Sequence, residues 1–242
     1  MKSTQPSKST SKNPNAENYI DNKSAKAFIL KLFECISSSS KVAELKKIPE
    51  TCSLGAGLKK KMPGKKFPRL EIHITREQLQ NLKETKVIMS DNGFSTELAS
   101  GKSSGGYKLN DLEKLLYSML WKQGDLGKER HIVSGIFENN RDKRHGHVFH
   151  EFGRYLANKN DYIMDQHTLR FFAVLNSSED NIETARKLSA VDFSRKDHIA
   201  LECSYKKFYA TLSKKVSGEK EKADFYYEVD RLLFGAGALV KI

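Results

Sequence analysis

Asp165 and Lys122 carry the residue types best suited to chemistry in this chain. Asp165 follows the apolar run Tyr162-Ile163-Met164 and precedes Gln166 and His167 at an expected helix start. Free backbone amides and the helix dipole favour negative charge at such a position. The apolar run would partly exclude water. A carboxylate placed there can orient water or stabilise a cation forming at an acetal carbon, such as C1′ of a nucleoside. Lys122 ends an expected helix beside Trp121 and before Gly124. Partial desolvation at that position would make its amine a nucleophile. The plainer alternative is that Asp165 only caps a helix and Lys122 is a surface lysine.

A second cluster joins His145, His147 and His150 with Glu151. Histidines three apart on a helix can share a metal, as a metal-dependent nuclease would require. His145 precedes the helix, however, and neither HExxH nor a cysteine pair accompanies it. Solvated or phosphate-contacting histidines are the alternative, and no metal is expected. Gly101-Lys102-Ser103 invites a phosphate-loop reading, but the glycine required five positions earlier is Thr96. There is no Gly-x-Ser-x-Gly, and Gly235-Ala236-Gly237 follows no strand. No cofactor is expected.

The elements that must position these residues are mostly helices. Apolar spacing predicts helices over 25–36, 110–123, 126–137, 148–157, 166–175, 182–188, 194–216 and 220–234. Thr75 with Gln78, and Asn110 with Glu113, read as capping boxes. Val42–Leu45 reads as a short segment stopped before Pro49. Leu70–Ile74 and Val87–Met89 read as short strands. Residues 53–69 read as a basic loop, in which Lys59, Lys60, Lys61, Lys65, Lys66 and Arg69 place six cations within eleven positions. The fold class expected is mainly α with a few short strands in the N-terminal third. Residues 1–22, rich in Ser, Lys and Asn, are expected to be a disordered tail. Residues 23–242 form one domain, divisible into 23–109 and 110–242.

The net charge of +12 points to a polyanionic partner. The three cysteines, Cys35, Cys52 and Cys203, form no CxxC pair, which suggests a reducing compartment. No apolar run reaches the ~20 residues a membrane span needs, and the N-terminus has no apolar centre like that of a secretory signal. These features predict a cytoplasmic (nucleoid-associated) or nuclear protein without a membrane partner.

Tyr162-Ile163-Met164-Asp165-Gln166-His167 resembles the segment around the catalytic aspartate of helix-hairpin-helix (HhH-GPD) DNA glycosylases, which read apolar-Asp-x-His at a helix start. Tyr227 to Gly235 resembles the closing helix of 8-oxoguanine DNA glycosylase-like proteins, so the likeness spans roughly 110–242. It implies a helical glycosylase-like bundle and a duplex DNA partner carrying a damaged or modified base. The base would be flipped out and cleaved with Asp165, and a lysine Schiff base would add AP-lyase activity. The family's glycine-rich hairpin with its lysine is missing. Lys122 lies 43 residues before Asp165, a wider spacing than the family's, and Lys128 is a second choice. Without a lysine the implied enzyme is monofunctional. Trp121, Phe149, Tyr155 or His167 would line the pocket. Lys59, Lys60, Lys61, Lys65, Lys66, Arg141, Lys143, Arg144, His167 and Arg170 would contact DNA. A non-catalytic nucleic-acid-binding protein is the alternative, and a nuclease using His147 and His150 is a third.

Overall fold

A computed structural model describes residues 20–62, 68–138 and 146–242. Among them the chain forms eleven α-helices and no sheet. The fold class is therefore mainly α, as its periodicity predicts. One core is built by α1 (Asn22–Ser38), α2 (Val42–Thr51), α3 (Gly55–Lys61), α8 (Gln166–Asn176), α9 (Ile182–Arg186), α10 (Lys196–Leu212) and α11 (Glu219–Leu239). A second, smaller core gathers around α4 (Arg76–Glu84), α6 (Glu129–Ile136) and α7 (His147–Ala157). Helix α5 (Asp111–Gln123) leads into it. The first core thus joins the two ends of the described chain, and the second is made from its middle.

Helix α1 shows how the larger core is specified. Asp21 caps it by accepting the Ser24 amide at 2.9 Å. Ala25, Phe28, Ile29, Leu32 and Ile36 then form one buried face at helical spacing. The tail expected over 1–22 lies outside the described residues up to Tyr19, but Asn22 already belongs to this helix. Lys26 reaches the far end of α8 and donates to the carbonyls of Val174, Leu175 and Ser177 at 2.7–2.9 Å. A lysine in that role satisfies a helix C-terminus and complements its dipole.

Several sequence expectations are corrected. Pro49 does not stop the segment: it lies inside α2, which runs on to Thr51. Much of the expected basic loop is helix α3. Its first residue, Gly55, sits where a Cβ would be 1.9 Å from the Pro49 carbonyl oxygen. Leu70–Ile74 is not a strand. Its polar groups are answered by the end of α7 instead: the Ile74 amide donates to Leu156 O at 3.2 Å, and His73 Nε2 is 2.8 Å from Ala157 O. With no second extended segment alongside, there is nothing for it to ladder with. Val87–Met89 contributes only an isolated bridge from Ile88 to Phe94.

Glycines also set two close helix crossings. At the α6–α7 crossing, a Cβ on Gly135 would lie 2.0 Å from His150 O, and one on Gly153 would lie 2.1 Å from Ile132 O. In α11, which runs five residues beyond the expected Phe234, a Cβ on Gly237 would lie 1.8 Å from His167 O. The cost of glycine inside a helix is accepted because the two backbones need the space. Gly153→Ala should therefore force α6 and α7 apart and destabilise the protein by about 1–3 kcal/mol, read as a lower urea midpoint. A surface control such as Lys60→Ala should leave the midpoint unchanged.

Candidate functional site

A cavity of about 420 Å³ opens between the two cores. Met62, Pro68 and Leu70 form one wall, Phe152 and Tyr155 of α7 a second, and Ile163, Asp165 and Thr168 at the start of α8 a third. Helix α11 closes it with Tyr227, Asp230, Arg231 and Phe234. The volume falls in the range of small-molecule sites, and the walls are mostly apolar with a few polar groups.

Asp165 is the N-cap of α8. Its Oδ1 accepts the amides of His167 and Thr168, both at 2.8 Å. The cap and the cavity wall are therefore one residue. Three contacts fix its helix start. Gly237 lets α11 lie directly on His167. The His167 ring packs edge-on against Phe234, with centroids 4.7 Å apart. Arg170, fully buried, donates from Nε to Leu188 O at 2.9 Å and from Nη1 to Gly237 O at 2.8 Å, and its Nη1 meets His167 Nδ1 at 2.8 Å. Burial lowers the His167 pKa, an effect that exceeds the opposing pull of Asp165.

Asp230 is a second carboxylate on the same cavity, and its importance is not visible in the sequence motifs. Its Oδ1 accepts the Tyr205 hydroxyl at 3.0 Å and also the Tyr209 hydroxyl. The same Tyr205 hydroxyl lies 2.9 Å from Ile163 O, next to the Asp165 turn, so its one proton is shared between the two acceptors. Burial pushes the Asp230 carboxyl up to about 7, outweighing the two tyrosine hydrogen bonds, and the Asp165 charge adds to the rise. The signal that could have found it is spacing: Tyr227, Asp230, Arg231 and Phe234 stand at i, i+3, i+4 and i+7 on α11. They form a stripe beside the apolar one of Phe225, Val229, Leu232 and Ala236.

One cation lines the cavity, and others lie against or beside its wall residues. Arg231 lines it, pairs with Glu228 at 2.9 Å and donates to Met62 O at 3.2 Å. Arg69 pairs with Asp224 and lies 6.0 Å from the Tyr227 ring centroid. Lys159 Nζ sits 4.0 Å from the centroid of Tyr155. Burial, with the Arg69 charge adding, depresses the Lys159 pKa to about 8. Lys59, Lys60 and Lys61 are exposed on the last turn of α3, immediately before Met62, and Lys59 lies 3.7 Å from Glu50.

The other expected site residues fare differently. Lys122 is exposed at the end of α5 and is absent from the cavity wall. The desolvation expected of it does not occur, because α5 buries none of its residues. Arg170 cannot serve as a DNA contact, since its guanidinium is sealed inside and spent on carbonyls. Of the aromatics considered, Tyr155 lines the cavity, whereas Trp121 and Phe149 do not. His147 and His150 are buried, His147 against Phe193 at 4.6 Å. Among the described residues, no group of three or more His, Cys, Asp or Glu is arranged to hold a metal. Lys65, Lys66, Arg141, Lys143, Arg144 and His145 lie outside the described residues. No helix among the described residues is long and apolar enough to cross a membrane.

No family model matches the chain, and no curated protein or solved structure matches it either.

Asp230 makes a stability prediction with a definite sign. Its folded pKa of about 7 exceeds the ordinary 3.8, so the folded state binds the extra proton between those values. The stabilisation is complete below the lower value and lost as pH rises through the upper one. In Asp230→Asn this loss is absent. The urea-unfolding free energy of the wild type should fall relative to that variant between about pH 4 and 7, by on the order of 1 kcal/mol per pH unit at the steepest, and level off above. A pH-independent difference would remove Asp230 as the titrating group.

Proposed function

We propose that the chain binds duplex DNA and hydrolyses the N-glycosidic bond of a flipped, damaged or modified base. The observation that carries this reading is that Asp165 and Asp230 line one aromatic-walled cavity. The cavity is suited to a planar base, with Tyr155, Phe152, Tyr227 and Phe234 as its aromatic faces. Asp165 supports positive charge at C1′ as the bond to the base breaks, and takes a proton from the attacking water. Water oxygen bonds to C1′, and the electron pair of the broken bond leaves with the base. Asp230, in its protonated form, returns a proton to that departing base. A carboxyl that burial favours in its protonated form suits the acid of such a pair. The exposed cations Lys59, Lys60 and Lys61, with Arg231 and Arg69, face the phosphate backbone.

In this reading the enzyme is monofunctional, because Lys122 takes no part in the cavity. A non-catalytic binder would use the same basic surface, and it predicts no role for Asp165 beyond capping.

Base release separates the two. Duplexes carrying uracil, 8-oxoguanine, alkylated bases or an abasic site are incubated with protein in EDTA. Release should occur from at least one base, and Asp165→Asn should slow it by about 100-fold or more. Salt-sensitive binding should survive in the variant. Binding without release from any duplex, equal in both proteins, would establish the binder instead.

A further inference from the structure

Helix α5 packs on the smaller core through Tyr117 and is otherwise held by its ends. Asn110 and Glu113 form a reciprocal capping box at its start, and Gly124 closes it in the left-handed conformation at φ 72°. None of its thirteen residues is buried. Leu112, Leu115, Leu116 and Met119 recur at i, i+3, i+4 and i+7 and are 64, 59, 51 and 51% exposed. The sequence pattern marks this face as core, yet among the described residues nothing covers it. A helix of this length is marginal in water without a packed face.

The occupant can be argued from composition and charge. Residues 1–19, 63–67 and 139–145 contain no Leu, Ile or Val, and Met1, Tyr19 and Phe67 are their only large apolar side chains, too few and too far apart in sequence to cover the stripe. Nucleic acid would require cations, and an anionic lipid surface a basic helix, but α5 is neutral, with Asp111 and Glu113 against Lys114 and Lys122. A second α5 fits better. Asp111 and Lys122 are eleven residues apart, three helical turns, so both flank the stripe on one side. In an antiparallel pair with a two-fold axis beside Leu116, each Asp111, which pairs with Lys114 of its own helix at 3.2 Å, also lies opposite the Lys122 of the other copy. The helix dipoles also oppose favourably. The stripe offers on the order of 500 Å² per copy, or about 1,000 Å² for the pair, which is at the lower bound for a specific interface.

We infer that two copies of this chain associate through antiparallel α5 helices, with Leu112, Leu115, Leu116 and Met119 as the seam and two Asp111–Lys122 ion pairs fixing the register. The association is weak, in the micromolar range, and leaves the Asp165 cavity untouched. Its test is sedimentation equilibrium of the full chain from low to several hundred micromolar. A monomer–dimer equilibrium should appear, and Leu116→Glu should weaken it at least tenfold with an unchanged circular dichroism spectrum. Asp111→Lys and Lys122→Asp should each weaken it several-fold, and the double exchange should restore it. A monomer at every concentration, or a dimer indifferent to Leu116→Glu, would overturn the interface. A dimer lost in Leu116→Glu but not rescued by the double exchange would overturn the antiparallel register.

Discussion

The contact of α11 with the first turn of α8 is the constraint on which the site depends. Gly237 lies where any side chain would strike the His167 carbonyl. Arg170 then ties both backbones together by donating to Gly237 and Leu188 while meeting His167. A fully buried guanidinium is costly unless all its donors are satisfied. Here its main-chain partners come from α11 and from the segment after α9, so the helix start can hold only one position. That position puts the Asp165 cap into the cavity wall and brings Asp230 onto the same space.

The same cavity concentrates arrangements that stability alone would not select. Asp230 is desolvated among tyrosines, and burial and the Asp230 charge together raise the Tyr205 and Tyr209 hydroxyls well above their ordinary range. Lys159 is held against an aromatic ring at reduced basicity. Shifted groups clustered around one concave, largely apolar surface are more characteristic of a working site than of a structural core. The two cores on either side provide rigid walls: glycine crossings lock α6 to α7 and α11 to α8, leaving the cavity between them.

Local chemistry was the legible part of the sequence. The Asp165 cap, the boxes at Thr75 and Asn110, and most helices follow from residues within one or two turns of each other. Long-range packing was not legible in the same way. Alternation made Leu70–Ile74 look like a strand, but its partners are carbonyls at the end of α7, more than 80 residues away. Arg170 looked like a phosphate contact because charge is normally solvated, and only the fold reveals the carbonyls that pull it inside. Asp230 sits in the middle of an apolar helix, where its pairing with Asp165 depends on how α11 crosses α8. The α5 stripe has the spacing of a core face, and the monomer fold leaves it outside.

In the proposed reaction Asp165 stabilises positive charge developing at a sugar carbon within the cavity. The most direct measurement compares binding of two duplexes, one with a cationic pyrrolidine in place of the target sugar and one with an uncharged tetrahydrofuran. Transition-state complementarity predicts that the cationic duplex binds the wild type at least tenfold more tightly, and that Asp165→Asn abolishes the difference while leaving the neutral duplex unaffected. Equal affinity for the two duplexes in the wild type would contradict the claim and leave Asp165 as a helix cap alone.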